Sequence, residues 1–200
     1  MFGVARAALT AEELGAFRGR AVAAATKLFA AQGYGGVTLR SLAKELGVSP
    51  MTPYRYFENK EELFAMVRTE AFRRFADVQR DAIAGSDDPE DRLRMLGRAY
   101  VGFALDEPDA YHTMFDILQA QAGTYPELEA EQARAFSYLC SAVTAAVDAG
   151  LMQGEPLLRA HVLWAQVHGL VSLHLAGKLL MGCALDDLIS SVFEKPEAAP

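Results

Sequence analysis

The fold is decided by residues 38–64, which read TLRSLAKELGVSPMTPYRYFENKEELF. Thr38 is a typical helix-capping residue, and the short helix that it starts has an apolar inner face of Leu39, Leu42, Ala43 and Leu46. Gly47 follows where a left-handed turn is needed, since glycine alone adopts positive φ without a steric penalty. Ser49 then caps a second short helix that begins at Pro50. This pattern predicts a helix-turn-helix, although a plain pair of antiparallel helices has the same local features.

Pro53 leaves the start of the second helix open between two positions. If Ser49 is the cap, Pro53 is the fourth helical residue, lacks the bond to the Ser49 carbonyl and disfavours helical geometry at Thr52. If Thr52 is the cap, Pro53 is the first helical residue and the helix is shorter. The side chains that the second helix exposes differ between these two arrangements.

The rest of the sequence also predicts helices, because glycine and proline lie between segments in which apolar residues recur at helical spacing. A capping box over residues 10–13 predicts a first helix from Ala11 to about Ala31, and Asn59 is expected to cap a helix over 60–83. A last helix is predicted over 185–193, and four others are predicted to start near Pro89, Pro108, Pro126 and Pro156. We therefore expect an all-α chain with about nine helices. We expect residues 1–60 to form a three-helix domain and residues 61–200 to form a second helical domain.

Charge is distributed unevenly along the 200 residues. The net charge of −7 at pH 7, taken alone, argues against nucleic acid as a partner. Residues 17–60, however, carry seven basic and two acidic side chains, which gives a net charge of +5. Residues 81–200 carry seven basic and eighteen acidic side chains, a net charge of −11. This division is typical of a nucleic-acid module joined to a separate domain, although a patchy solvated surface gives the same counts.

Several other classes of protein are disfavoured by the sequence. Cys140 and Cys183 lie far apart and have no partner at metal-ligand spacing, so neither a disulfide framework nor a zinc site is expected, and a reducing cytoplasm is the simpler setting. Residues 160–177 lack charged side chains but contain three histidines, which favours a buried bundle helix over a membrane span.

Catalysis is the less favoured alternative. An enzyme would have to use His112 or His168 as a base, and the sequence contains no nucleophile–base set, phosphate loop or paired carboxylates. No catalytic residue, cofactor or metal site is therefore expected. A helical adaptor that has lost DNA binding is a third possibility, and it predicts no dependence on Arg40, Tyr54 or Lys60.

Four segments of the first third of the chain follow a familiar order: 28–34 (LFAAQGY), 38–43 (TLRSLA), 47–49 (GVS) and 54–63 (YRYFENKEEL). Together they resemble the N-terminal DNA-binding domain of the TetR family of bacterial transcriptional regulators. Downstream, residues 164–169 (WAQVHG) resemble a Trp-x-x-x-His-Gly element found in one group of C-terminal domains of that family. The resemblance implies a ligand-responsive repressor that binds a palindromic double-stranded DNA operator as a homodimer and is released by a small molecule.

The resemblance also implies which residues contact DNA, namely Arg40 and the exposed face from Ser49 to Arg55. Arg55 is the candidate for a bidentate contact to guanine, whereas Pro50 and Met51 offer only apolar contact. Pro53 departs from the family pattern, which usually has Leu, Ile or Val there. Phosphate contacts, which fix the position of the protein on the duplex, are expected from Thr38, Thr52, Tyr54, Tyr56 and Lys60.

The acidic domain is expected to bind a largely apolar effector and a second subunit, with no membrane partner. Aromatic and methionine side chains are more often plain core than pocket. The pocket candidates are Phe103, Tyr111, Met114, Phe115, Phe136, Tyr138, Cys140, Trp164 and His168. The helices from Pro156 and from Leu185 are taken to be apolar on all sides, so they are predicted to form the homodimer face across a two-fold axis.

Overall fold

The computed structural model describes residues 11–115, 123–179 and 182–193, and within these ranges it contains only helices, which confirms the all-α class. Eight are α-helices, and one short 3-10 helix spans Pro53–Arg55. The α-helices are α1 Ala11–Gly36, α2 Leu39–Glu45, α3 Lys60–Ile83, α4 Pro89–Asp106, α5 Pro108–Met114, α6 Pro126–Asp148, α7 Pro156–Leu175 and α8 Leu185–Phe193. Across the described ranges, no helix is long and apolar enough to cross a membrane.

Helix starts coincide with the capping residues that the sequence indicates. Thr38 forms a capping box, because its side chain accepts from the Ser41 amide at 3.0 Å while its own amide donates to the Ser41 hydroxyl at 2.9 Å. Asn59 Oδ1 accepts from the Glu62 amide at 2.8 Å and starts α3. Gly33, at φ 64°, interrupts the helical geometry of α1 close to the predicted end of the first helix.

The first hydrophobic core joins α1, α2 and the beginning of α3. Its largest fully buried side chains include Phe29, Leu42, Phe57 and Leu63. Val67, two turns into α3, packs in the same cluster, so this helix contributes to the N-terminal core beyond the predicted division at residue 60. The division itself stays a prediction.

A second hydrophobic region is built from α3 to α8. Helix α3 continues into it, and Phe72 and Phe75 are buried there against α4 and α5. Helix α8 packs on α7 and α4, and its Phe193 ring lies so close to Gly97 that a Cβ at that position would overlap the ring. This close approach explains why a glycine stands inside α4.

Helix α8 differs from its prediction as a helix apolar on all sides. Leu185 and Ile189 are buried, whereas the exposed positions are polar: Asp186, Asp187, Ser190 and Ser191. The helix is therefore amphipathic, and its apolar stripe is already covered by the rest of the chain.

Candidate DNA-binding face and ligand cavity

The turn after α2 has the geometry that the sequence predicts. Gly47 has φ 65°, in the left-handed region that favours glycine. The Val48 amide donates to the Ala43 carbonyl at 3.0 Å, which closes the end of α2. Val48 itself is half-buried against the N-terminal core, so the turn is anchored by packing as well as by hydrogen bonds.

The predicted α-helix from Pro50 is wrong. The 3-10 helix Pro53–Arg55 stands in its place, with Thr52 before it and proline at its first position, as in the second of the two arrangements. The physical reason is Pro53, which has no N–H to give to the Ser49 carbonyl. The Thr52 amide donates to that carbonyl instead, at 2.8 Å, and the Arg55 amide donates to the Thr52 carbonyl at 3.1 Å. Both hydrogen bonds join residues three positions apart, which is the pattern of a 3-10 helix.

Most of the residues predicted to contact DNA are exposed around this turn. Met51 is 66% exposed and Tyr54 is 46% exposed, both high values for large apolar or aromatic residues. Thr52 is half-buried. The other exposed members of the predicted set are Thr38, Arg40, Ser49, Pro50 and Arg55. Because α2 packs against the 3-10 helix, α2 and the exposed turn are held together as one unit, here called the reading face.

Two members of the predicted set have contacts within the protein. Tyr56 is buried and stacks on Phe17, with ring centroids 3.9 Å apart. Lys60 is half-buried, donates from Nζ to the Tyr34 carbonyl at 3.0 Å, and lies 4.0 Å from the centre of the Tyr34 ring. These contacts tie α1, near its beginning at Phe17 and near its end at Tyr34, to the residues that follow the reading face.

The Tyr34 hydroxyl adds a further bond at this junction by donating to Glu61 Oε1 at 2.6 Å. Burial and this hydrogen bond raise the pKa of Tyr34 above its ordinary value, while the bond from Tyr34 lowers the pKa of Glu61. The tyrosine therefore stays a donor and the glutamate stays a charged acceptor near neutral pH.

A largely apolar cavity of about 280 Å³ lies between α3, α4, α6 and α7. Four of the predicted pocket residues line it: Met114, Phe115, Phe136 and Trp164. Sequence reasoning missed the contribution of α3, whose Arg68, Phe72, Phe75 and Gln79 line one wall. These residues are spaced four, three and four positions apart, which places them on one helical face. That spacing could have identified α3 as part of the pocket, but all the predicted pocket residues lie after residue 88.

The remaining pocket candidates lie outside the cavity lining. Phe103 is buried in the core beside Phe75, with ring centroids 5.2 Å apart. Tyr138 and Cys140 are half-buried and pack on the hydrophobic clusters. These three side chains therefore pack in the protein core, which is the more common position for side chains of this kind.

Tyr111 and His168 belong to a polar cluster beside the cavity. His168 Nδ1 lies 2.8 Å from the Tyr111 hydroxyl and 3.0 Å from the Tyr100 hydroxyl, and the two hydroxyls are 3.2 Å apart. Tyr100 also lines the cavity, so it connects the cluster to the cavity wall. Burial lowers the pKa of His168, which favours a neutral imidazole that accepts from a tyrosine hydroxyl.

The neutral state of the half-buried His168 predicts that stability falls in mild acid. Its pKa is lowered from 6.5 in the folded protein, so the unfolded chain binds more protons as the pH drops below that value. The stabilisation is present above about pH 6.5 and is lost as the pH falls through the lower folded-state pKa. Urea denaturation at several pH values checks this. His168→Gln is expected to flatten the profile, and a profile as steep as that of the wild type would contradict this role of His168.

Models of known protein families match both the N-terminal and the C-terminal part of the chain. Residues 21–67 match the model for bacterial regulatory proteins of the tetR family, and residues 93–194 match the model for the tetracyclin repressor-like C-terminal domain. Over 99 residues, which is 50% of this chain and 45% of the relative, the chain is 27% identical to the HTH-type transcriptional activator FasR of Mycolicibacterium smegmatis.

Solved structures share the fold over most of the chain. A protein of unknown function from Rhodococcus sp. RHA1 has a TM-score of 0.75 and 26% identity, covering 88% of this chain and 91% of that one. The regulator FadR from Bacillus subtilis, solved with stearoyl-CoA, has a TM-score of 0.73 and 18% identity, covering 87% and 94%. With two family models matched in the expected order, the chain belongs to the TetR family of bacterial transcriptional regulators.

Proposed function

We propose that this regulator is a cytoplasmic repressor that binds a palindromic DNA operator as a homodimer and is released by a largely apolar small molecule. It acts by binding and release rather than by catalysis. The observation that carries the proposal is the path of α3, because the same helix packs in the hydrophobic core that holds α2 of the reading face and also lines the cavity.

Helix α3 offers a direct mechanical link between the two sites. Leu63 and Val67 anchor its first turns in the N-terminal core, and Phe72 and Phe75 face the cavity one to two turns further along. At 24 residues the helix is about 36 Å long. A ligand that fits the cavity better with α3 displaced shifts the population toward that arrangement and changes the spacing of the two reading faces in a dimer.

The size and lining of the cavity support a small, mainly apolar effector. Its volume of about 280 Å³ lies just below the range of about 300–1,000 Å³ that is usual for ligand sites. FadR of Bacillus subtilis was solved with stearoyl-CoA. A molecule of that size exceeds this cavity, so we expect this chain to enclose either a smaller effector or only the apolar part of a larger one.

The homodimer is supported by the apolar surface of α7. Leu157 is 53% exposed and Leu158 is 61% exposed, values that are costly for leucine in a monomer. Other exposed large apolar side chains on this helix are Val162, Trp164, Leu173 and Leu175. Since the exposed positions of α8 described above are polar, we place α7 at the centre of the dimer face and α8 at its rim.

Fluorescence anisotropy with a labelled duplex from upstream of its own gene tests the proposed function. We expect tight binding that weakens steeply as salt is raised, because phosphate contacts release counterions. An effector should then lower the anisotropy. Binding that is weak, insensitive to salt or equal for an unrelated duplex of the same length would contradict the proposal.

Arg55→Ala is expected to relax base preference. A bidentate arginine–guanine contact contributes about 1–3 kcal/mol of discrimination, so the preference for one base pair should fall by about 5- to 150-fold.

Lys60→Ala should weaken binding to all sequences about equally, because Lys60 contacts phosphate and also positions the end of α1. Competition titrations with single-base variants of the duplex measure both effects. Arg94→Ala removes the same charge from an exposed site on α4 and serves as the control; a loss of base preference there would contradict the assignment.

A further inference from the structure

Gln79 is a buried polar side chain in the wall of the cavity. Only 4% of its surface is exposed, and its Oε1 has no hydrogen-bond partner in the part of the chain that the structure describes. The cavity-lining side chains nearest to it along α3 are Phe75 and Phe72, and the opposite walls include Leu96 and Leu163. Gln79 thus lines an open volume, while its amide oxygen is itself buried in the apolar wall.

Such an arrangement is unusual because an unpaired buried polar group costs folding free energy. The great majority of buried polar atoms in proteins have a partner, and exceptions call for an explanation. Arg68, at the other end of the same helical face, is a buried polar side chain that does have a partner, because its guanidinium group donates to the Met114 carbonyl at 3.0 Å. A leucine at position 79 would line the cavity without this cost.

We propose that Gln79 is the specificity-determining residue of the cavity and that its amide, turned toward the cavity, accepts a hydrogen bond from a hydroxyl group on the effector. The inference rests on the proposed function, because it assigns the class of ligand that the same cavity binds. A hydroxyl supplies the donor that Oε1 needs and carries no charge into the apolar site. An ammonium group fits poorly, since the described residues that line the cavity include the cationic Arg68 and no carboxylate.

The protein contains its own reporter for this test. Trp164 is the single tryptophan of the chain and lines the cavity, so selective excitation of tryptophan reports ligand binding at this site. The probes are phenylbutanol, a terminal alcohol, and butylbenzene, its counterpart without the hydroxyl. Dissociation constants for both probes are measured with the wild type, with Gln79→Leu and with Gln132→Leu. Gln132 is a matched control because it is a half-buried glutamine that lines the same cavity from α6.

In the wild type, the affinity ratio of phenylbutanol to butylbenzene is expected to exceed the ratio in Gln79→Leu by about three- to tenfold, the effect of one net hydrogen bond. Gln132→Leu should keep the wild-type ratio. Without ligand, Gln79→Leu should melt about 2–8 °C above the wild type, because an unpaired amide is removed, so the variant is expected to fold.

Two other outcomes separate the inference from the proposed function. If both probes bind but Gln79→Leu leaves the affinity ratio unchanged, or if Gln132→Leu changes it instead, the assignment of Gln79 is overturned while the ligand-binding role of the cavity stands. If neither probe alters Trp164 fluorescence in any of the three proteins, the cavity is not a small-molecule site, and both the proposed effector response and the inference fail.

Discussion

Phe57→Ala is expected to lower the free energy of unfolding by about 3–5 kcal/mol and to abolish DNA binding. Phe57 is 1% exposed and belongs to the core that joins α1, α2 and α3. Its amide donates to the Pro53 carbonyl at 3.0 Å, so the same residue closes the 3-10 helix and packs beneath it. Removing the ring leaves a cavity directly under the reading face. Urea denaturation and anisotropy with the duplex measure the two effects.

Phe103→Ala is the matched control for this substitution. Phe103 is 3% exposed, lies in the core of the second region and does not line the cavity. A comparable loss of stability is expected, but hydrogen exchange should accelerate in the second region rather than over residues 17–67. Faster exchange in that N-terminal segment for both variants would show that the two cores unfold as one unit and would contradict a local effect of Phe57.

Leu158→Asp is expected to convert the proposed homodimer to a monomer. In a two-fold interface the substitution appears twice, once from each subunit. Each copy removes an apolar contribution of about 1.5–3 kcal/mol and adds a carboxylate to a surface that must lose its water on association. The combined effect exceeds 3 kcal/mol, which corresponds to more than a hundredfold weaker association. Sedimentation velocity over a range of concentrations measures it.

Val78→Asp provides the control for the dimer experiment. Val78 is 40% exposed on α3, so it tests the effect of an added charge at an exposed apolar site away from α7. We expect this variant to sediment as the wild type does. A dimeric Leu158→Asp variant, or a monomeric wild type, would remove α7 from the dimer face.

The start and end of most helices were predictable because they depend on local chemistry. The capping positions Thr38 and Asn59, and the glycine turn at position 47, are defined by hydrogen bonds within a few residues. The exception is the turn around Pro53, where local chemistry alone leaves two arrangements open. Both arrangements around Pro53 were consistent with the sequence, and the outcome depends on how the Thr52 amide and the buried proline ring fit against α2, which is a packing question.

The cavity was harder to predict because it depends on which helices meet. Phe72 and Phe75 have the spacing of any core stripe, and the sequence does not indicate that a void lies beside them. Gln79 reads as a solvated residue in a charged stretch, yet it is buried where α3 crosses α4 and α6. Helix α8 was predicted from its overall apolar content to be apolar on all sides. Which of its positions are buried is decided instead by its contacts with α7 and α4.

Selection of binding sites from a library of random duplexes tests the central claim most directly, namely that the exposed turn around Met51 and Arg55 reads DNA as part of a dimer. The wild type is expected to enrich an inverted repeat whose half-sites are centred about one helical turn, or a multiple of it, apart. Arg55→Ala should enrich a less defined repeat with the same spacing. No enrichment over the starting library, or an identical motif for Arg55→Ala and the wild type, would contradict the account.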